Sequence, residues 1–68
     1  NKLTERIKQC RHEIKVSQRK VADYLKISER AYQHYELGTR EPNVDTLILL
    51  ADYFGVSLDY LCGRTDIR

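Results

Sequence analysis

Apolar residues recur at Leu3, Ile7, Cys10 and Ile14 with charged or polar residues almost everywhere between them, the spacing of one helical face. This predicts a first helix over about residues 3–14. Val16 follows, and Ser17 stands where a cap would start a second helix whose apolar face is Val21, Ala22 and Leu25. That helix is only about eight residues long and breaks at Lys26 and Ile27. Ser28 offers the next cap, ahead of Ala31, Tyr32 and Tyr35, and Gly38 supplies a left-handed stop. Thr39-Arg40-Glu41-Pro42 is the one sustained loop signal. Asn43 then opens a fourth helix with Val44, Leu47, Ile48, Leu50, Ala51 and Phe54 on a wide apolar face, ending at Gly55. Ser57 caps a last short helix containing Leu58 and Leu61. No run alternates with strand period. The pattern predicts an all-α fold, a compact bundle of five short helices in a single domain over residues 1–68.

The second and third helices are both short, and only about three residues separate the apolar end of one from the cap of the next. So tight a connection makes two helices cross steeply, at about 90–120°, which is the helix-turn-helix arrangement. It falls here over about residues 17–37. The second helix of such a pair projects from the body, and its outward positions are Glu29, Arg30, Gln33 and His34. All four are polar side chains with the donors and acceptors needed to read base edges.

Composition narrows the function. Sixty-eight residues, 41% apolar and 32% charged, make one small domain. Its core supplies only roughly 3–5 kcal/mol of net stability, little margin for a deep catalytic cleft. Two cysteines, Cys10 and Cys62, are too few for a disulfide scaffold and point to a reducing, cytoplasmic setting. Both read as small buried apolar residues. No apolar run approaches the roughly 18 residues of a membrane span, and no secretion signal is present. The chain starts at Asn1 and has no methionine, as expected of a segment trimmed from a longer protein. The net charge of +2 says little, but its distribution says more. Residues 1–34 carry nine Lys/Arg against four acids, and residues 35–68 carry three against six. A basic N-terminal half suits a polyanionic partner, although a solvated helix face produces similar runs.

The segments RIKQCR, SQRKVADYLKIS, YELGTREPNVDTL and FGVSLDYLCGRT follow one another at the spacing of the phage-repressor-like, Xre-type helix-turn-helix family. The chain resembles that family over nearly its whole length. A lone Ser-Gln-x-x-x-Ala would be weak evidence, whereas four motifs in order are specific. The resemblance implies a lambda-repressor-like fold and a sequence-specific regulator of transcription, by default a repressor, that binds double-stranded DNA as a homodimer in the cytoplasm and on the nucleoid. It assigns Gln18, with Arg19 beside it, to a DNA phosphate and to bracing the recognition helix. Ser28, Glu29, Arg30, Gln33 and His34 match the positions facing the major groove. Thr39, Arg40, Asn43 and Thr46 match positions flanking the phosphate backbone. Arg11 and Glu36 match a partly buried salt bridge between the first helix and the end of the third. Two departures stand out: Lys26 occupies a turn position where the family commonly has Gly, and Lys20 occupies one where an acid often completes a capping box with Ser17.

Plainer roles compete at several positions. Glu29 can offset the helix dipole as readily as accept from cytosine, and Arg30 can be a solvated residue rather than a base or phosphate contact. Tyr32 and Tyr35 fall with Ala31 on the bundle side, while Tyr24 is more exposed, a candidate phosphate contact. Cys10 and His12 lie about 200° apart on a helix, and no zinc spacing connects the two Cys and two His, so no metal or cofactor is expected. Ser17, Ser28 and Ser57 are explained as caps, and the glycines as isolated stops, so no enzyme is expected. Leu49 and Tyr53, four apart on the fourth helix, would form with Tyr60 a modest exposed apolar patch. That patch is either a homodimer surface or an edge of the core. A dimer would set its recognition helices about 34 Å apart over a palindrome. The alternative to a DNA reader is a protein-interaction module of antitoxin type with weak or vestigial DNA binding. RNA binding ranks below both, for want of a stacking platform.

Overall fold

A computed structural model describes residues 1–68. It contains five helices and no strand: α1 (Lys2–Glu13), α2 (Gln18–Leu25), α3 (Glu29–Leu37), α4 (Val44–Phe54) and α5 (Leu58–Leu61). The four internal starts are each capped by the predicted residue. Ser17 Oγ accepts from the Lys20 N–H at 3.0 Å and Ser28 Oγ from the Ala31 N–H at 3.1 Å. Asn43 Oδ1 accepts from the Thr46 N–H at 2.8 Å and Ser57 Oγ from the Tyr60 N–H at 3.0 Å. Each satisfies a donor the helix itself leaves unpaired. The first helix also has a cap, Asn1, whose side chain accepts from the Thr4 N–H at 2.9 Å.

The core lies where all five helices converge, and Ile7, Val21, Tyr32, Leu50 and Leu61 are its fully buried members. Helix α2 packs chiefly on α3, while α1 touches α3, α4 and α5, so the helix-turn-helix pair leans on a frame built by the other three. Between α2 and α3, Lys26 adopts the left-handed conformation at φ 60°, the position where the resembling family commonly has Gly. Lys15, in the turn between α1 and α2, does the same at φ 57°. A side chain with a Cβ is strained there, by about 1–2 kcal/mol.

Several positions differ from the sequence pattern. Ile14 is the C-cap of α1 and stays 44% exposed, because the chain turns away before its side of the helix is covered. Val44 and Ile48, read as part of an inward face, are exposed. Only Leu50 and Ala51 of α4 are buried, since α5 and the short flanking helices cover a narrower stripe than the sequence offers. Cys62 is exposed rather than buried, and both thiols are free. Burial pushes the Cys10 thiol pKa up, with Glu13 adding to the rise against the nearby Arg68 and Arg6.

The segment after α5 is fastened to α1. Arg6, nearly buried, donates to the carbonyls of Tyr60 at 2.7 Å and Thr65 at 3.0 Å and to Asp66 Oδ1 at 2.8 Å. Its guanidinium lies 3.9 Å from the centre of the Tyr60 ring. Arg68 pairs with both oxygens of Glu13, each at 2.6 Å, and its carbonyl accepts from the Ser57 N–H at 2.9 Å. Gly63 makes this return possible: at φ 82° it passes so near Lys2 that a Cβ would overlap that side chain.

Candidate nucleic-acid interface

The site is built around one buried carboxylate. Glu36, in the last turn of α3, is 3% exposed and accepts from Arg11 of α1 through both oxygens. Arg11 Nε donates to Oε2 at 2.6 Å and Nη2 to Oε1 at 3.1 Å, a bidentate fork, while Nη1 donates to the carbonyl of Val16 at 3.0 Å. Burial works against ionising Glu36, but its hydrogen bonds, led by those from Arg11, hold its pKa below the ordinary carboxylate value. Burial, followed by this neighbouring carboxylate, drives the phenol pKa of Tyr32 far above its usual value.

The same carboxylate reaches the helix-turn-helix pair. Gln18, the first residue of α2, donates from Nε2 to Glu36 Oε1 at 3.0 Å. Its own oxygen accepts from Gln33 Nε2 at 3.1 Å. Gln18 therefore ties α2 to two positions one turn apart in the C-terminal half of α3. The backbone N–H groups of Gln18 and Arg19, in the first turn of α2, have no partner within the chain, leaving donors directed outward at a helix N-terminus. Lys20 and Arg19 beside them are exposed.

Along α3, Arg30 is exposed, while Glu29, Gln33 and His34 are half-buried. Ser28 is exposed at the cap with its hydroxyl engaged by the Ala31 N–H. His34 Nδ1 and the Thr39 hydroxyl are hydrogen-bonded at 2.7 Å. The His34 carbonyl accepts from the N–H groups of Gly38, Thr39 and Arg40. Thr39 and Arg40 are thus held against the end of α3, both exposed. Asn43 and Thr46 meet through the cap of α4, across the loop from them.

One sequence-predicted grouping fails. Tyr60 is 5% exposed, with Arg6 and Arg68 on its ring, so it cannot share a surface with Leu49 and Tyr53. Tyr53 instead packs against Tyr24 and Phe54, with ring centres at 4.7 and 5.6 Å. Leu49 remains exposed, alongside Val44 and Ile48 of its own helix. The residue the sequence did not single out is Arg6: apolar periodicity ranks a charged position as solvent-facing. Two of the nine cations of the basic half, Arg6 and Arg11, are consumed by internal pairs.

The pattern of the family described as Helix-turn-helix matches residues 7–61. The chain belongs to the helix-turn-helix family. Among its relatives in that family, the HTH-type transcriptional regulator YqaE of Bacillus subtilis is 48% identical over 59 residues, covering 87% of this chain and 51% of the relative. The cryptic phage CTXphi transcriptional repressor RstR of Vibrio cholerae is 38% identical over 63 residues, covering 93% and 56%. This chain spans about half the length of the helix-turn-helix regulators it matches. Among solved structures, the P22 c2 repressor in complex with a synthetic operator superposes with a TM-score of 0.82 at 30% identity, covering 90% of this chain and 92% of that one. Its DNA-binding domain in solution gives 0.84 at 29% identity, covering 91% and 82%. The five-helix, all-α architecture is that of these helix-turn-helix repressor domains.

Proposed function

We propose that this chain is the DNA-binding domain of a transcription regulator that inserts α3 into the major groove of duplex DNA and represses by occupying its operator. The observation that carries the reading is the α3 assembly. Glu29, Arg30, Gln33 and His34 line the outward side of a short helix that Glu36, Arg11 and Gln18 pin to α1 and α2. Unpaired N–H groups at the start of α2, with Arg19 and Lys20, and Thr39 and Arg40 beyond α3 stand on either side as phosphate contacts. Asn43 and Thr46 extend that flank. The likeness to a repressor solved on its operator supports the same docking. Arginine is the commonest specific reader of guanine, through O6 and N7, and Arg30 is the exposed cation of α3.

The regulator works as a homodimer in the cytoplasm, bound to the nucleoid when on DNA. Support for a second copy comes from Val44, Ile48 and Leu49, exposed together on α4. No helix is long and apolar enough to cross a membrane.

Titration of a mixed-sequence duplex across a salt series tests the reading. Binding that weakens steeply and linearly in log–log form as salt rises is the expected result. Absence of binding at low salt would instead leave a protein-interaction module.

A further inference from the structure

Past Leu61 no residue of the chain is buried, and the family pattern ends there too. Residues 63–68 nonetheless return to α1 and α5 as a strap, held by polar contacts. The Arg64 N–H donates to the Asp59 carbonyl at 2.8 Å, and the Ser57 N–H to the Arg68 carbonyl at 2.9 Å. Arg6 takes the Thr65 carbonyl and Asp66, Arg68 takes Glu13, and the Arg68 guanidinium lies 5.1 Å from the centre of the Tyr60 ring. Asp66 is fully open to solvent, and the Arg68–Glu13 pair is about half so. Ion pairs this exposed contribute little and are screened by salt, whereas ordering the strap costs conformational entropy. Apolar burial does not offset that cost, since Ile67, the strap's one large apolar side chain, is 80% exposed. Closed and open straps therefore lie close to balance, while the core keeps its own buried cluster. Opening leaves Arg6 its bond to the Tyr60 carbonyl and its place on the Tyr60 ring, so no buried cation is stranded.

The strap grips α1 at two points. Arg6 and Glu13 are two turns apart on one face of the helix. Glu13 is also held by Gln9 Nε2 at 3.1 Å. Two residues before Glu13 stands Arg11, about 200° round the helix, whose fork carries Glu36 and with it the last turn of α3. The end of α1 thus has the strap on one side and α3 on the other.

We propose that residues 63–68 open and close on α1 as a unit of their own, and that the closed strap braces the last turn of α1 so that Arg11 holds α3 in place for DNA. The strap's state then regulates the recognition helix from the far side of α1. That regulation rests on the DNA-binding reading above; the opening itself does not. Glu13 and Arg68 are positioning residues, acting on α3 through Arg11 and Glu36.

Hydrogen exchange followed by NMR, on the wild type and on Glu13→Ala/Asp66→Ala, tests the opening. The double substitution removes both ion pairs and leaves the strap's backbone donors and acceptors unchanged. In the wild type the Ser57 and Arg64 amides should exchange at least about tenfold faster than those of Ile7 and Leu50, which lie within helices and are fully buried. In the variant the first pair should lose protection while the second pair keeps it. Core amides that exchange at the strap's rate, or that lose protection with it, would overturn independent opening. Transmission is read at the Arg11 Nε–H resonance, which reports the bond to Glu36. It should shift and exchange faster in the variant; an unchanged resonance with the strap open would overturn the bracing. Removing two carboxylates makes the chain more positive, which alone would tighten its hold on DNA. The variant should instead bind a duplex selected from a random pool severalfold more weakly than the wild type, and equal or tighter binding would overturn the regulation. A wild type that binds no duplex would overturn the DNA reading, a result distinct from both exchange outcomes.

Discussion

Removing the carboxylate of Glu36 strands the Arg11 guanidinium, which is mostly buried, and unties Gln18 in the same step. Breaking one side of a buried pair costs about 3–5 kcal/mol. At about 4–8 °C per kcal/mol for a domain this small, Glu36→Ala should lower the melting temperature by more than about 10 °C, as read by circular dichroism. The pH dependence has a definite sign. The folded pKa of Glu36 lies below its unfolded value, so its contribution is complete above about pH 4.3 and is lost as pH falls through the folded pKa. Glu36→Gln should flatten that acid limb of the stability profile. Lys26 makes the opposite case: at φ 60° glycine is unstrained, so Lys26→Gly should raise the melting temperature by several degrees, for up to about 1 kcal/mol. Residue roles were legible where they depend on chain-local chemistry or on a motif, as with the Arg11–Glu36 pair. Arg6 was not, because its partners, the carbonyls of Tyr60 and Thr65, lie more than fifty positions away and carry no side-chain signature.

At the level of the helices, the starts of α2 to α5 were readable because a capping side chain and the amide it satisfies lie three residues apart. Which face of a helix is covered depends instead on its neighbours. Helix α4 offers more apolar surface than four small partners can cover, which leaves Val44, Ile48 and Leu49 exposed, and α5 takes Tyr60 inside. The start of α2 invites a specific change. Lys20 places a cation in the first turn, against the helix dipole, and the Ser17 N–H has no acceptor that a glutamate at this position would supply. Lys20→Glu should raise the melting temperature by a few degrees, for about 0.5–1 kcal/mol, while weakening binding to duplex DNA. Unchanged affinity would remove Lys20 from the phosphate contacts.

Over the whole molecule, the basic half is less basic toward a partner than its sequence count. Arg6 and Arg11 are engaged inside, leaving Lys8, Arg19, Lys20, Lys26 and Arg30 among its exposed cations. Association follows the same logic of partly used surfaces. If the exposed face of α4 joins two copies, sedimentation at micromolar concentration should show a dimer that Leu49→Glu dissociates; a monomer in both would remove the interface. On the proposed function, α3 reads sequence while its flanks hold phosphates. Quantitative binding of wild type, Arg30→Ala and Arg40→Ala to a selected duplex and to its scrambled counterpart tests this most directly. Arg30→Ala should narrow the ratio between the two duplexes by about 5- to 150-fold, whereas Arg40→Ala should weaken both equally and reduce the salt slope by about one. A wild type that binds both duplexes alike, or an Arg30→Ala ratio equal to the wild type's, would contradict it.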